Sequence, residues 1–90
     1  MPAYFVCYDL KKQGQDYAHL KSQLQQFHPH MQIQQSVWLI HSLASTEAVK
    51  NHLGAFVDSN DSLIVIQASE AKTQGLSFLE DYNIQVILKR

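Results

Sequence analysis

The residue best placed to do chemistry is Asp9, which directly follows the apolar run AYFVCY at residues 3–8. A carboxylate at the end of a buried strand is held rigidly, so it can bind a metal ion or meet a partner. Lys11 and Lys12 follow it closely. The simpler alternative is that Asp9 only marks where the strand reaches solvent, and that it caps the strand or pairs with one of these lysines.

Other polar and aromatic residues are weaker candidates. His28 and His30 could chelate a metal from an extended segment, but two histidines without a third ligand make a poor site. The segment DSND at residues 58–61 lacks the glycine and glutamate of a calcium loop, which favours a turn. Trp38 could stack on a nucleobase, and His41 could act as a general base. The apolar run that contains Trp38 favours a core position for it, and His41, which follows VWLI, is favoured as a strand-end residue. No Ser/His/Asp set, phosphate loop or nucleotide fingerprint occurs.

Length and charge limit the classes of function. Ninety residues form one domain, at residues 1–90, and a chain of this size buries only about 60–65% of its unfolded surface. The formal net charge of −1 and the scattered lysines argue against a protein that holds nucleic acid through a large basic patch. No apolar run approaches the roughly 20 residues of a membrane span. The start lacks a secretory signal, and the single Cys7 cannot form an intramolecular disulfide, so we expect a cytoplasmic protein with Cys7 as a core residue.

The spacing of apolar residues predicts the order strand, helix, two short strands, helix, strand. The predicted elements are a strand at 3–8, a helix from Asp16 that ends before Pro29, two short strands within 31–42 with a bend at Gln34–Gln35, a helix capped by Ser45, and a strand at 62–68. After a short helical turn at 76–79, the segment NIQVIL at 83–88 is predicted as a final strand.

This order is the ferredoxin-like βαββαβ arrangement, an α+β fold with an antiparallel sheet and two helices on one face. The core would span about residues 3–68, and residues 69–90 would form a C-terminal extension with the added strand. Two helices on one face leave the other face of the sheet bare, although YFVCY and LIVI are apolar on both sides. We therefore predict a homodimer in which a second subunit covers this face.

Three short motifs in this order carry a family resemblance. The first strand ends in Y-D-L at residues 8–10, Q-x-S-V-W follows at 34–38, and D-S-L-x-V at 61–65. The chain resembles the CRISPR-associated Cas-two family, especially its stand-alone relatives labelled SinR-family, over roughly residues 3–68. The resemblance implies a ferredoxin-like homodimer in the cytoplasm.

The resemblance also implies roles for particular residues. Asp9 would face its symmetry mate and hold a divalent cation, Mg2+ or Mn2+, for phosphodiester cleavage in RNA or DNA. Ser36 would be an auxiliary ligand or phosphate contact, and Lys11 and Lys12 would contact nucleic acid. A CRISPR integrase is the implied protein partner.

One departure from the family pattern concerns arginine. Many members carry arginines after the first strand, whereas residues 11–23 here read KKQGQDYAHLKSQ. Lysine holds phosphate as a point charge and lacks the two-pronged contact of arginine. The functions left open are therefore a metal-dependent nuclease, a non-catalytic adaptation scaffold, and a protein-binding dimer such as a toxin–antitoxin partner.

Overall fold

A computed structural model describes residues 2–11 and 17–90, which form four strands and three helices. In chain order these are β1 (Ala3–Asp9), α1 (Ala18–Leu24), β2 (His30–Gln34), β3 (Val37–His41), α2 (Thr46–Gly54), β4 (Ser62–Ala68) and α3 (Phe78–Leu88). Within this described part, no helix is long and apolar enough to cross a membrane. The predicted start of the first helix at Asp16 lies outside the described residues.

The strands form one antiparallel sheet in the order β2-β3-β1-β4. Strand β1 is central and pairs with β4 over its whole length, from Ala3 opposite Ala68 to Asp9 opposite Ser62. Strand β4 is one edge of the sheet, and its pairing with β1 has no register shift. At the other edge, the register between β2 and β3 shifts between Gln32 and Gln34, next to the predicted bend. The predicted antiparallel α+β fold is confirmed, and the arrangement is consistent with a ferredoxin-like domain.

Helices α1 and α2 cover one face of the sheet, as the sequence predicted. The buried residues of this first core are Tyr4, Val6, Tyr8, Leu20, Leu24, Trp38, Ile40, Val49 and Leu53. The even-numbered residues of β1 point to this face because side chains alternate along a strand. Helix α2 begins at its predicted cap, where Ser45 Oγ accepts a hydrogen bond from Ala48 N at 3.1 Å.

The predicted C-terminal strand at residues 83–88 is wrong, because this segment belongs to helix α3. Ser77 and Glu80 form a capping box that starts the helix: Ser77 Oγ accepts from Glu80 N, and Glu80 Oε1 accepts from Ser77 N, both at 3.1 Å. Ile84, Ile87 and Leu88 are buried, and their three- and four-residue spacing is that of one helical face. A short apolar run cannot be assigned to strand or helix from periodicity alone, which explains the error.

Helix α3 covers part of the second face of the sheet. Its buried residues pack with Ala3 and Leu39, and Phe5 adjoins them. On β4 the same face stays open, since Ile64 is 56% and Ile66 is 48% exposed. The chain thus supplies some of the cover that the sequence argument assigned to a second subunit. The homodimer stays a prediction, now with a smaller surface to cover.

Candidate functional site

Asp9 lies at the exposed end of β1 and forms an ion pair. Its Oδ2 is 2.7 Å from Lys11 Nζ, and both side chains are more than half exposed. The hydrogen bond from Lys11 to Asp9, reinforced by the opposite charge, raises the pKa of Lys11 above its ordinary value. An exposed pair adds little to stability because water screens it. This ion pair agrees with the simpler of the two interpretations of Asp9, and it leaves the carboxylate accessible to solvent.

Ser36 lies at the same end of the sheet, on the β3 side of β1. Its backbone oxygen accepts a hydrogen bond from Tyr8 N at 3.1 Å, so Ser36 flanks the residue before Asp9. The structure therefore brings Asp9, Lys11 and Ser36 to one end of the sheet. Lys12, the other predicted nucleic-acid contact, lies outside the described residues.

Asp61 organises the backbone around this end of the sheet. Its Oδ1 accepts from Lys11 N at 2.8 Å and from Tyr17 Oη at 3.2 Å, and its Oδ2 accepts from Asp58 N at 2.8 Å. One carboxylate thus joins the chain after β1, the start of the α1 region and the turn before β4. Sequence reasoning missed this role, because Lys11 and Tyr17 lie 50 and 44 positions away from Asp61.

Asp9 points to the second face of the sheet, the face that α3 leaves partly open. Alternation along β1 places Phe5, Cys7 and Asp9 on this face, and the register places Ile64 beside Cys7 and Ile66 beside Phe5. Partial burial raises the pKa of the Cys7 thiol, as expected of a residue packed against apolar neighbours. The accessible carboxylate, opposite Ser62, therefore lies at the end of the same face that carries the exposed isoleucines of β4.

The histidines of the HPH segment do not form a metal site with other described residues. The rings of His28 and His30 have centroids 6.3 Å apart, and His30 Nδ1 donates to Phe27 O at 2.8 Å. In residues 2–11 and 17–90 no three side chains of His, Cys, Asp or Glu are grouped so that they could hold a metal ion. The loop position that the sequence favoured holds for His28 and Pro29, whereas His30 is the first residue of β2; both histidine side chains are exposed.

Trp38 belongs to the core. It is 3% exposed, and its Nε1 donates to Tyr8 Oη at 3.1 Å, so the indole nitrogen is satisfied by its neighbour on β1. The core position favoured for Trp38 is confirmed, which leaves no room for a base to stack on this side chain.

His41 occupies the strand-end position that the sequence favoured, but its buried environment was not predicted. It ends β3 and is 8% exposed, and its Nε2 is buried without a hydrogen-bond partner among the described residues. A buried polar atom without a partner costs about 1–3 kcal/mol. Such atoms are rare enough in folded proteins that each one calls for an explanation.

Comparisons of the chain with protein-family models, with curated proteins and with solved structures found no match.

Proposed function

We propose that this chain is a Cas-two-like protein with a ferredoxin-like fold, which acts on RNA or DNA as a cytoplasmic homodimer through a divalent cation held by Asp9. The single observation that carries the proposal is that Asp9 lies on the same partly open face of the sheet as the exposed Ile64 and Ile66. Burial of these isoleucines against a second copy would draw both Asp9 carboxylates towards the dimer axis. Full burial of an exposed isoleucine contributes about 1.5–3 kcal/mol, and because Ile64 and Ile66 are already about half buried, the dimer would gain about half of this from each.

The donor set fits a hard cation better in the dimer, which supplies two carboxylates instead of one. One chain offers Asp9, with Ser36 nearby, and its described residues contain no larger ligand group. Mg2+ and Mn2+ take oxygen ligands, and Mg2+ needs only one or two carboxylates from the protein. Two Asp9 side chains would meet this need, and the cation would offset the repulsion between them.

Lys11 would exchange partners when the cation binds. Its ammonium group and the cation compete for the same Asp9 oxygen, now 2.7 Å from Lys11 Nζ. A released Lys11, together with Lys12, would contact phosphate, and Ser36 would hydrogen-bond a phosphate oxygen. The bound cation would supply Lewis-acid activation of the phosphate and of a water molecule.

The test compares the wild-type protein with Asp9→Asn and with the control Glu70→Gln, which removes an exposed carboxylate from the segment after β4. Cleavage of single-stranded RNA and duplex DNA is measured with Mg2+ or Mn2+ and with chelator, and mass by light scattering. Asp9→Asn should abolish metal-dependent cleavage and stay dimeric, whereas Glu70→Gln should behave as wild type. Equal cleavage by Asp9→Asn and wild type would refute the assignment. An adjacent integrase gene and repeat array would favour the adaptation scaffold.

A second candidate function is a protein-binding dimer, such as one partner of a toxin–antitoxin pair. The observation that favours it is an apolar stripe on the outward side of α3, formed by Phe78, Leu79, Tyr82 and Val86, which are 40–86% exposed. The Phe78 and Tyr82 rings stack with centroids 6.4 Å apart, and exposed aromatic clusters are typical anchors of protein interfaces. Calorimetry with the product of a neighbouring gene tests it: Tyr82→Ser should weaken binding and Asp9→Asn should not. The reverse pattern would refute it.

A further inference from the structure

The unpartnered His41 lies at the end of the sheet opposite Asp9. His41 ends β3 and pairs with Ala3, the first residue of β1, whereas Asp9 is the last. Its backbone N donates to Pro29 O at 3.2 Å, which holds the segment before β2 against the end of β3. The segment before β2 and the end of β3 therefore lie side by side at this end of the sheet.

An open pocket lies at this position. His28, His41, Leu43 and Arg90 line it, and its volume is about 480 Å³, many times the roughly 30 Å³ of one water molecule. Arg90 also lines a second cavity together with Pro29 and His30, so it borders the same segment in both cavities. Among the described residues no Asp or Glu lines the pocket, and the polar side chains that line it are one guanidinium and two imidazoles.

We propose that this pocket binds a phosphate group. Arginine presents a planar set of donors that matches phosphate oxygens, and imidazole N–H groups donate to the same oxygens. The His41 ring lines the pocket although its Nε2 is buried, so binding requires the ring to turn about its broad χ2 torsion until Nε2–H meets a bound oxygen. Leu43, which is 78% exposed, forms the apolar wall. The ligand supplies the partner that His41 lacks.

The phosphate site uses neither Asp9 nor a metal ion. It goes beyond the proposed cleavage activity and stands if that activity is absent. The phosphate could belong to inorganic phosphate, to a nucleotide or to the backbone of a nucleic acid, and the three sources share the chemistry that the pocket recognises.

The first experiment measures the unfolding temperature in 0–10 mM inorganic phosphate, with sodium chloride added to constant ionic strength. A dissociation constant of about 1 mM would multiply the folding constant about 11-fold at 10 mM and raise Tm by about 6–10 °C. The variants are His41→Phe and Arg90→Gln, and Lys50→Gln is the control because Lys50 is an exposed residue of α2 outside the pocket.

Phosphate should raise the Tm of wild type and of Lys50→Gln by the same amount. In His41→Phe and Arg90→Gln most of this rise in Tm should be lost. Because phenylalanine removes an unsatisfied polar atom, His41→Phe should fold at least as stably as wild type without phosphate. If it does not fold, the His41 imidazole resonances of wild type and Arg90→Gln are followed by NMR during the same titration. They should move only in wild type.

An equal rise in Tm in all four proteins would show a general salt effect and would overturn the proposal. The absence of a Tm rise in wild type would overturn it as well. A nucleoside 5′-monophosphate and a dinucleoside monophosphate then distinguish the sources. Binding of the diester supports a site for the nucleic-acid backbone. Binding of the monoester and inorganic phosphate alone supports a site for terminal or free phosphate.

Discussion

Three alanine substitutions in α3 distinguish the observed helix from the strand that the sequence suggested. In the helix, Ile84 and Ile87 lie on the buried face, whereas Val86 is 40% exposed. In a strand, residues 84 and 86 would share one face and residue 87 would take the other. The two geometries therefore predict opposite rankings for Val86→Ala and Ile87→Ala.

The magnitudes follow from burial. Ile84 is 1% and Ile87 is 6% exposed, so each Ile→Ala change should cost about 2–4 kcal/mol from lost burial and the cavity left behind. Val86→Ala should cost less than about 1 kcal/mol, since its side chain already contacts water. A domain of this size has a total stability of about 5–10 kcal/mol, so either isoleucine change removes a large share of it.

Urea unfolding followed by circular dichroism measures these differences. With a slope of about 1–3 kcal/mol per molar urea, Ile84→Ala and Ile87→Ala should lower the midpoint by about 1–3 M, and Val86→Ala should hardly move it. A large loss for Val86→Ala together with no loss for Ile87→Ala would refute the helix and restore the strand.

Three further predictions concern other parts of the molecule. Asp61→Ala removes the acceptor of three described hydrogen bonds and should lower the free energy of unfolding by about 2–3 kcal/mol in a urea titration. Tyr8→Phe leaves the buried Nε1–H of Trp38 without its acceptor and should cost about 1–3 kcal/mol, with a change in tryptophan fluorescence. Hydrogen bonds from Ser77 lower the pKa of Glu80 below its ordinary 4.5. As the pH falls, the Glu80 carboxylate therefore becomes protonated in the unfolded chain before it does in the folded chain. The stability that Glu80 contributes is complete above pH 4.5 and is lost as the pH falls below this value. Glu80→Gln should remove this part of the acid-induced loss in Tm.

Each of these predictions has a matched control. Asn60→Ala changes an exposed residue of the same turn as Asp61 and should stay within about 0.5 kcal/mol of wild type; an equal loss would mean that the turn, not the carboxylate, matters. Tyr82→Phe removes an exposed hydroxyl and should leave stability unchanged, and a cost matching Tyr8→Phe would contradict the role of Trp38. Glu70→Gln should lose Tm at low pH to the same extent as wild type. If Glu80→Gln also shows the same loss as wild type, Glu80 does not contribute to it.

Most of the sheet and both helices of the first core could be predicted because their signals are local. The predicted strand at residues 62–68 coincides with β4. Ser45 was identified as a helix cap from residue type and position alone. Alternating and three-to-four spacings identify the buried side of an element without knowledge of what covers it.

Helix α3 could not be predicted from its apolar pattern, because the deciding information lies elsewhere in the fold. NIQVIL is apolar enough for a strand or a helix, and the second face of the sheet selects the helix that covers Ala3 and Leu39. The capping box of Ser77 and Glu80 was a local signal for the helix that the strand assignment overlooked.

Part of the candidate site could also be predicted from the sequence, and part of it could not. The position of Asp9 at the end of β1 was predicted, and a pair with Lys11 or Lys12 was the simpler alternative to a metal site; both follow from neighbouring residues. The roles of Asp61 and His41 depend on contacts between distant parts of the chain. No spacing in the sequence indicates that the backbone N–H of Lys11 meets Asp61, or that Nε2 of His41 is enclosed without a partner.

The hydrogen bonds of Asp61 have a consequence for engineering the protein. The same carboxylate oxygen holds Lys11 N and Tyr17 Oη, so the two ends of the connection between β1 and α1 are tied to one point. The entropy of closing a loop grows only with the logarithm of its length, and doubling the length costs about 0.6 kcal/mol. Residues added between positions 11 and 17 would lengthen the chain between two points that Asp61 holds together. This connection is therefore a suitable place to insert a peptide tag or a fluorophore site beside Asp9 without disturbing the register of β1.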